Sequence, residues 1–285
     1  MHDRGQTSPG LRPKPVLVLG TDDIASAVGH ALASDGVPIL LVRDPEVPVL
    51  RRAASFDDAL ELGSVRLDGL TAYATDPLSA DRLGAMLAVT HLAPEMLIDP
   101  ARFEGVIDAR VRRGPRGPGL RGELGFAIGL GPGFAAGETV DIAVETAPEA
   151  AGRIVRGGTT RLPPAESSLL VGDDGQCLVR APRSGLWWTF RDIGEMLEEG
   201  AVAGLCAGIQ VPAPVAGCLT GLVRRGTWMR AGMQLLEIDP RPEAERCGGI
   251  SPRGAGIAAA TVAAVRELWQ SPRRERRHEV LKWLL

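Results

Sequence analysis

Lysine is nearly missing from this chain of 285 residues. It occurs only at Lys14 and Lys282, and arginine carries the rest of the positive charge. The interior therefore cannot form a Schiff base, carry biotin or lipoate on an attachment lysine, or complete a P-loop. Cysteine is scarce as well. Cys177, Cys206, Cys218 and Cys247 are nowhere spaced as C-x-x-C. No metal site is expected from them, and in a chain of cytosolic character they read as reduced thiols. No apolar run reaches about eighteen residues, so neither a transmembrane helix nor a membrane partner is expected. The opening MHDRGQTSPG lacks the apolar stretch of a signal peptide, which makes a cytoplasmic location the expectation. A net charge of −3 supplies no field to draw in nucleic acid. The local basic run Arg273, Arg274, Arg276, Arg277, broken by Glu275, reads as a solvated tail or a partner contact.

What is present is 45% hydrophobic residues, enough for one large core or two smaller ones. Residues 1–13 are polar and read as a disordered N-terminus. From 14 to about 165 the pattern is that of a Rossmann-like α/β domain. Pro15-Val-Leu-Val-Leu19 is a short buried strand. A turn at Gly20 follows, then Ile24, Val28 and Leu32 at helical spacing, and Val37–Val42 is a second strand. Together they make a βαβ unit. Ser55–Leu62 predicts a short helix capped by Ser55. Asp68-Gly69 predicts a hairpin turn between 64–67 and 70–74. Asp76-Pro77 predicts a helix to about Val89. Met96–Ile98, Gly105–Asp108, Phe126–Gly129 and Val140–Val144 read as strands, and the Arg/Gly/Pro segment 112–122 reads as a mobile loop.

Beyond residue 160 short β runs repeat. Val179–Leu205 and Val211–Ile238 share an apolar–Pro–x–x–Gly opening and a later glycine two or three residues before an apolar strand. Two such halves predict a lipoyl/biotinyl-type, hammerhead-like β-barrel over 166–241. Its hairpin tip, Cys206-Ala-Gly-Ile209, has no lysine, so a packing or interaction module is what remains. Residues 242–285 predict a C-terminal helix, Ala255–Trp269, and a tail ending in apolar residues.

Several groups of residues could carry chemistry. Gly20-Thr21-Asp22-Asp23-Ile-Ala25 sits where a dinucleotide fold places G-x-G-x-x-G/A, but Asp22 stands in place of the second glycine. That turn either binds a dinucleotide or belongs to a nucleotide fold that has lost its ligand. About twenty residues on, Asp44 is positioned for a ribose or Arg43 for a 2′-phosphate. Gly129-Leu-Gly131-Pro-Gly133-Phe134 is either an anion-binding loop or a tight turn. Arg51-Arg52 and Asp108-Ala-Arg110 could clamp phosphate or a pterin anion, or be surface charge. Cys247, among glycines and beside an arginine, is either a reactive or an inert thiol. No Ser/His/Asp set is visible, and His30 and His91 read as packing residues.

The ordered set of these segments resembles the selenium-dependent molybdenum hydroxylase system proteins of YqeB type, distantly allied to the XdhC/CoxI accessory factors. The segments are Gly20–Ala25, Pro45 with Arg51-Arg52, Ile107–Arg110, Ile128–Phe134 with Ala136-Gly137, Val144-Glu-Thr146, Gly152-Arg153, and Asp239–Arg241 with Cys247 and Ile250-Ser251. They span roughly residues 15–265. The resemblance implies a maturation factor for a molybdenum hydroxylase, or for another metalloenzyme client. It would bind an anionic nucleotide or molybdopterin-type cofactor through the turn at 20–25, Arg51, Arg52 and the glycine loop. Two other readings stand beside it. One is an NADP-linked oxidoreductase with Arg43 on the 2′-phosphate. The other is a non-catalytic interaction protein with a degenerate nucleotide fold, docking a client or a second copy of itself.

Overall fold

A computed structural model describes residues 14–77, 86–112, 119–162, 177–241 and 247–270. The expectations for 1–13, for most of the 112–122 loop, for the residue-166 boundary and for the tail lie outside them.

The α/β unit is built on β1 (Val16–Leu19), β2 (Ile39–Val42), β3 (Ser64–Leu67), β4 (Leu70–Ala74), β5 (Leu87–Thr90), β6 (Gly105–Asp108), β7 (Ala127–Leu130), β8 (Ala135–Ala136), β9 (Ile142–Val144), β10 (Ile154–Val155) and β11 (Gly158–Thr159). β1, β2, β5, β6 and β7 read as unbroken apolar runs because every residue in them is buried. A strand covered on both faces cannot alternate. Among the described residues β8 and β11 pair separately, and nine of the eleven form one sheet, in the order β10-β9-β7-β6-β1-β2-β5-β4-β3. It is parallel from β9 to β4, with antiparallel edges at β10 and β3. Counting β1, β2, β5, β6, β7 and β9 as strands one to six gives 3-2-1-4-5-6, the order of a dinucleotide fold.

Helix α1 (Asp23–Ser34), the single turn α2 (Ala59–Leu62) and α3 (Pro252–Gln270) share one core with one sheet face. The opposite face is closed by Leu97, Phe103, Leu124 and Phe134, all from irregular segments or short strands. Helix α3 starts on Ser251, whose Oγ accepts from Gly254 N at 3.0 Å, and Pro252 occupies its first position, where no N–H is needed. Gly254 lets it approach α1, since a Cβ there would lie 3.3 Å from the Ala27 methyl. The C-terminal helix thus completes the α/β core, with the β module inserted ahead of it.

Three local expectations are corrected. Within 55–62 only α2, Ala59–Leu62, is helical, with Asp58 rather than Ser55 at its N-cap, and a 3-10 turn at Arg52–Ala54 precedes the segment, because Asp57 turns inward to Thr21 and Arg43. Leu87–Thr90 is a buried parallel strand rather than the end of a helix; a short apolar run does not separate the two by periodicity. Met96–Ile98 is not a strand: Pro94 opens a 3-10 turn there and Leu97 plugs the core. The hairpin at Asp68-Gly69 forms as expected, with φ of 42° and 91°.

The β module contains β12 (Cys177–Arg180), β13 (Gly185–Trp188), β14 (Met196–Leu197), β15 (Val202–Cys206), β16 (Ile209–Pro212), β17 (Gly217–Leu222), β18 (Trp228–Met229) and β19 (Gln234–Asp239). They form two four-stranded antiparallel sheets, β12-β19-β17-β14 and β16-β15-β13-β18. Exchanging each strand with the one four places away turns one order into the other, the two-fold relation that the sequence repeat implies. The expected closed barrel is not formed: no ladder joins the two sheets among the described residues. They are held by a shared core around Trp187, whose Nε1 donates to Val223 O at 3.0 Å. Gly204 makes room for that indole, since a Cβ there would meet it at 2.4 Å. The hairpin turn between β15 and β16 is at Ala207-Gly208.

Candidate functional site

The loops after β1 and β2, the end of β6 and strand β19 meet in a cleft of about 250 Å³. It lies beyond the carboxyl ends of the central strands, where the order of the sheet reverses and ligands of such folds bind. Gly20, Thr21, Asp22, Asp23, Asp44, Arg51 and Arg110 line it, so seven of the residues singled out by sequence converge there. Residues 47–50 line it as well, as do Leu178, Gln234 and Glu237 from the β module and Arg253 of α3.

The turn at 20–25 is built around its glycine. Gly20 has φ +119°, and a Cβ would press on Ala25 at 3.0 Å and on the Ala109 backbone at 3.3 Å. Its amide donates to Val42 O at 2.7 Å. Thr21 is buried and donates to Asp57 Oδ1 at 2.7 Å. Asp22 is the N-cap of α1, with Oδ1 accepting from Ala25 N at 2.9 Å. The helix start, which in a dinucleotide fold holds pyrophosphate, therefore already holds a carboxylate, with Asp23 beside it. These residues do not fit a pyrophosphate.

Burial pushes the Asp22 carboxyl up to about 7. Asp23 and Asp44 add to the rise, and the amides of Ala25 and Ile24 oppose it. An unfolded aspartate titrates near pH 4. A carboxyl that holds its proton more tightly when folded stabilises the fold below that pH, and the contribution is lost as pH rises toward 7. Asp22→Asn keeps the cap and removes the titration. The thermal midpoint of the wild type, taken relative to this variant, is expected to fall between pH 4 and 7.5. A constant difference across that range would contradict the assignment.

The arginines are committed within the protein. Arg51 forks onto buried Glu237, with Nε–Oε2 at 3.0 Å and Nη2–Oε1 at 2.8 Å, and reaches Asp23 at 3.5 Å. Arg110 forks onto Asp108 at 3.0 and 2.7 Å, a pairing that raises the guanidinium pKa further. Arg43 forks onto Asp57 at 2.8 Å on both oxygens and bonds Glu61 at 3.0 Å. It is a strut rather than a reader of 2′-phosphate. Asp44 takes Arg112 at 2.7 Å and the Glu46 amide at 2.9 Å, which competes with a ribose. Arg52 stands apart, donating to Leu222 O at 2.8 Å and to Asp58 at 3.1 Å.

The glycine loop is a turn, not an anion cradle. Gly131 N donates to Val144 O at 3.0 Å, Gly133 N to Thr160 O at 3.3 Å, and Phe134 N to Thr160 Oγ1 at 2.9 Å. Gly129 is inside β7, where a Cβ would lie 2.3 Å from the Phe134 ring; Gly131 has φ +91°. Cys247 is not among the residues that line the cleft. Sequence reasoning missed Asp57 and Glu237, the buried carboxylates that organise the arginines. Glu237 lies 186 residues from Arg51, and nothing local signals the pairing.

The fold and cleft define an α/β protein with a Rossmann-like parallel sheet, a carboxylate cap at the start of its first helix and an antiparallel β module. Among known proteins the chain is similar to the uncharacterized protein YqeB of Escherichia coli (strain K12), at 25% identity over 269 residues, which is 90% of this chain and 49% of YqeB. The YqeB-type resemblance read from the sequence thus stands, and the chain spans about half the length of that curated relative. No family model matches the chain, and no solved structure matches it. Among the described residues no helix is long and apolar enough to cross a membrane.

Proposed function

We propose that the protein is an accessory factor that docks a molybdenum hydroxylase during its maturation and does so without gripping a dinucleotide. The pathway comes from the YqeB-type resemblance. The mode of action rests on one surface. The outer face of sheet β16-β15-β13-β18 carries a stripe of large apolar side chains. Trp228 lies opposite Leu186 on neighbouring strands, and Trp188 opposite Leu205. Phe190 extends the stripe, its ring edge-on to Trp188 at 6.1 Å. Phe190 is 81% exposed and Trp228 68%. Contiguous exposed apolar surface of this kind marks interaction sites, and tryptophan is enriched where binding energy concentrates. The carboxylate-capped cleft supports the same reading, since it leaves no helix start for pyrophosphate.

Co-expression with a molybdenum hydroxylase, followed by light scattering on the purified complex, tests this. Trp188→Glu and Phe190→Glu are each expected to weaken binding by about 2 kcal/mol or more, roughly thirtyfold in Kd, and to lower the cofactor content of the hydroxylase. NAD, NADP and molybdopterin cytosine dinucleotide should give no thermal stabilisation. The proposal fails if the glutamate variants bind and load the hydroxylase like the wild type. It fails also if the face only pairs two copies of this chain.

A further inference from the structure

Two of the four cysteines come into contact outside the lining of the cleft. Cys218 is in β17, buried, and Cys247 is partly exposed in the segment that leads into α3. Their sulfur atoms are 2.7 Å apart, closer than unbonded sulfurs ordinarily sit and not far beyond the ~2.05 Å of a disulfide. The other two thiols do not share this geometry. Cys177 is buried in β12, and Cys206 donates to Arg183 O at 3.4 Å. We propose that Cys218 and Cys247 form a redox-active dithiol that exchanges with small disulfides and closes into an internal disulfide.

The chemistry follows from the difference in exposure. Cys247 is the thiol an incoming disulfide can reach. As thiolate it attacks one sulfur of RSSR, forming a mixed disulfide and releasing one RS⁻. Cys218 then attacks the Cys247 sulfur and expels the second RS⁻. The two thiol protons end on the released thiols. The sum is two cysteine thiols plus RSSR giving the Cys218–Cys247 disulfide plus two RSH. Burial, the neighbouring Cys247 and the charge of Asp239 push the Cys218 thiol up to about 12. Its reactivity therefore comes from being held against its partner rather than from ready ionisation.

The bond would act on the joint between the two parts of the chain. Just past Cys247, Gly249 N donates to Ala53 O at 3.4 Å and Ile250 N to Asp68 Oδ2 at 2.8 Å, and Ser251 then caps α3. Closing the bond ties that strap to β17, next to the arginines at 51 and 52. The test is to equilibrate the full chain with oxidised glutathione and map the peptides by mass spectrometry. A linked Cys218–Cys247 peptide lighter by two hydrogens is expected. The thermal midpoint should rise by about 5 °C and return with dithiothreitol. Cys247→Ser should abolish both effects, and Cys218→Ala should leave a stable glutathione adduct on Cys247. A wild-type chain that stops at the mixed disulfide, links other cysteines or does not react overturns the proposal, and this readout needs no variant to fold.

Discussion

Arg51→Ala is expected to cost about 3 kcal/mol of stability, because it strands the Glu237 carboxylate where the β module meets the α/β unit. Glu237 is almost fully buried. Besides the Arg51 fork it accepts from Thr220 Oγ1 at 3.1 Å. A carboxylate in such a place is tolerable only while its charge is matched. The backbone next to Arg51 is tied in as well, with Leu222 N donating to Leu50 O at 2.8 Å and Leu50 packing into the β-module core. Urea unfolding measures the loss as a lower midpoint. The double variant Arg51→Ala with Glu237→Met should recover much of it, since replacing both members of a buried ion pair by apolar groups is often neutral. A ligand-gripping Arg51 would behave differently: its removal would change stability little, and the double variant would recover nothing.

That contrast bears on how far the sequence could be read. The β1 run, the turn at Gly20, the Asp68-Gly69 hairpin and the repeat behind the two β-module sheets are written in adjacent residues. Their signals are local: buried runs, a glycine forced into positive φ, and a Pro–x–x–Gly opening used twice. The convergence of the 20–23 turn, Asp44 and Arg110 on one cleft also follows locally, because each lies just beyond the carboxyl end of a parallel strand, whereas Arg51 arrives at the end of the longer loop after β2. What the cleft can bind did not follow. Asp57 takes Arg43, Glu237 takes Arg51 and Arg112 takes Asp44 across separations of 14, 186 and 68 residues. Each pairing turns a candidate ligand contact into a strut. Charge alone cannot separate the two roles; the depth of the opposing carboxylate does.

The glycine loop makes the same point at short range, and Gly129→Ala tests it. A methyl at that position would enter the Phe134 ring, which is itself buried. The expected cost is about 2–3 kcal/mol, at the upper end for overpacking a core. Phe134→Ala alone should cost about 3–4 kcal/mol through the cavity it leaves on the loop-covered face of the sheet. In the double variant the alanine methyl occupies part of the space the ring vacated, so the combined loss should fall short of the sum by at least about 1 kcal/mol. Strict additivity would mean that the ring and the glycine do not depend on each other. The sequence contains the relevant signal in the phenylalanine that closes Gly-Leu-Gly-Pro-Gly-Phe. Five residues is the span over which this turn folds an aromatic ring back onto its own first glycine. The loop then keeps glycine for the ring, and its amides are already spent on Val144 and Thr160.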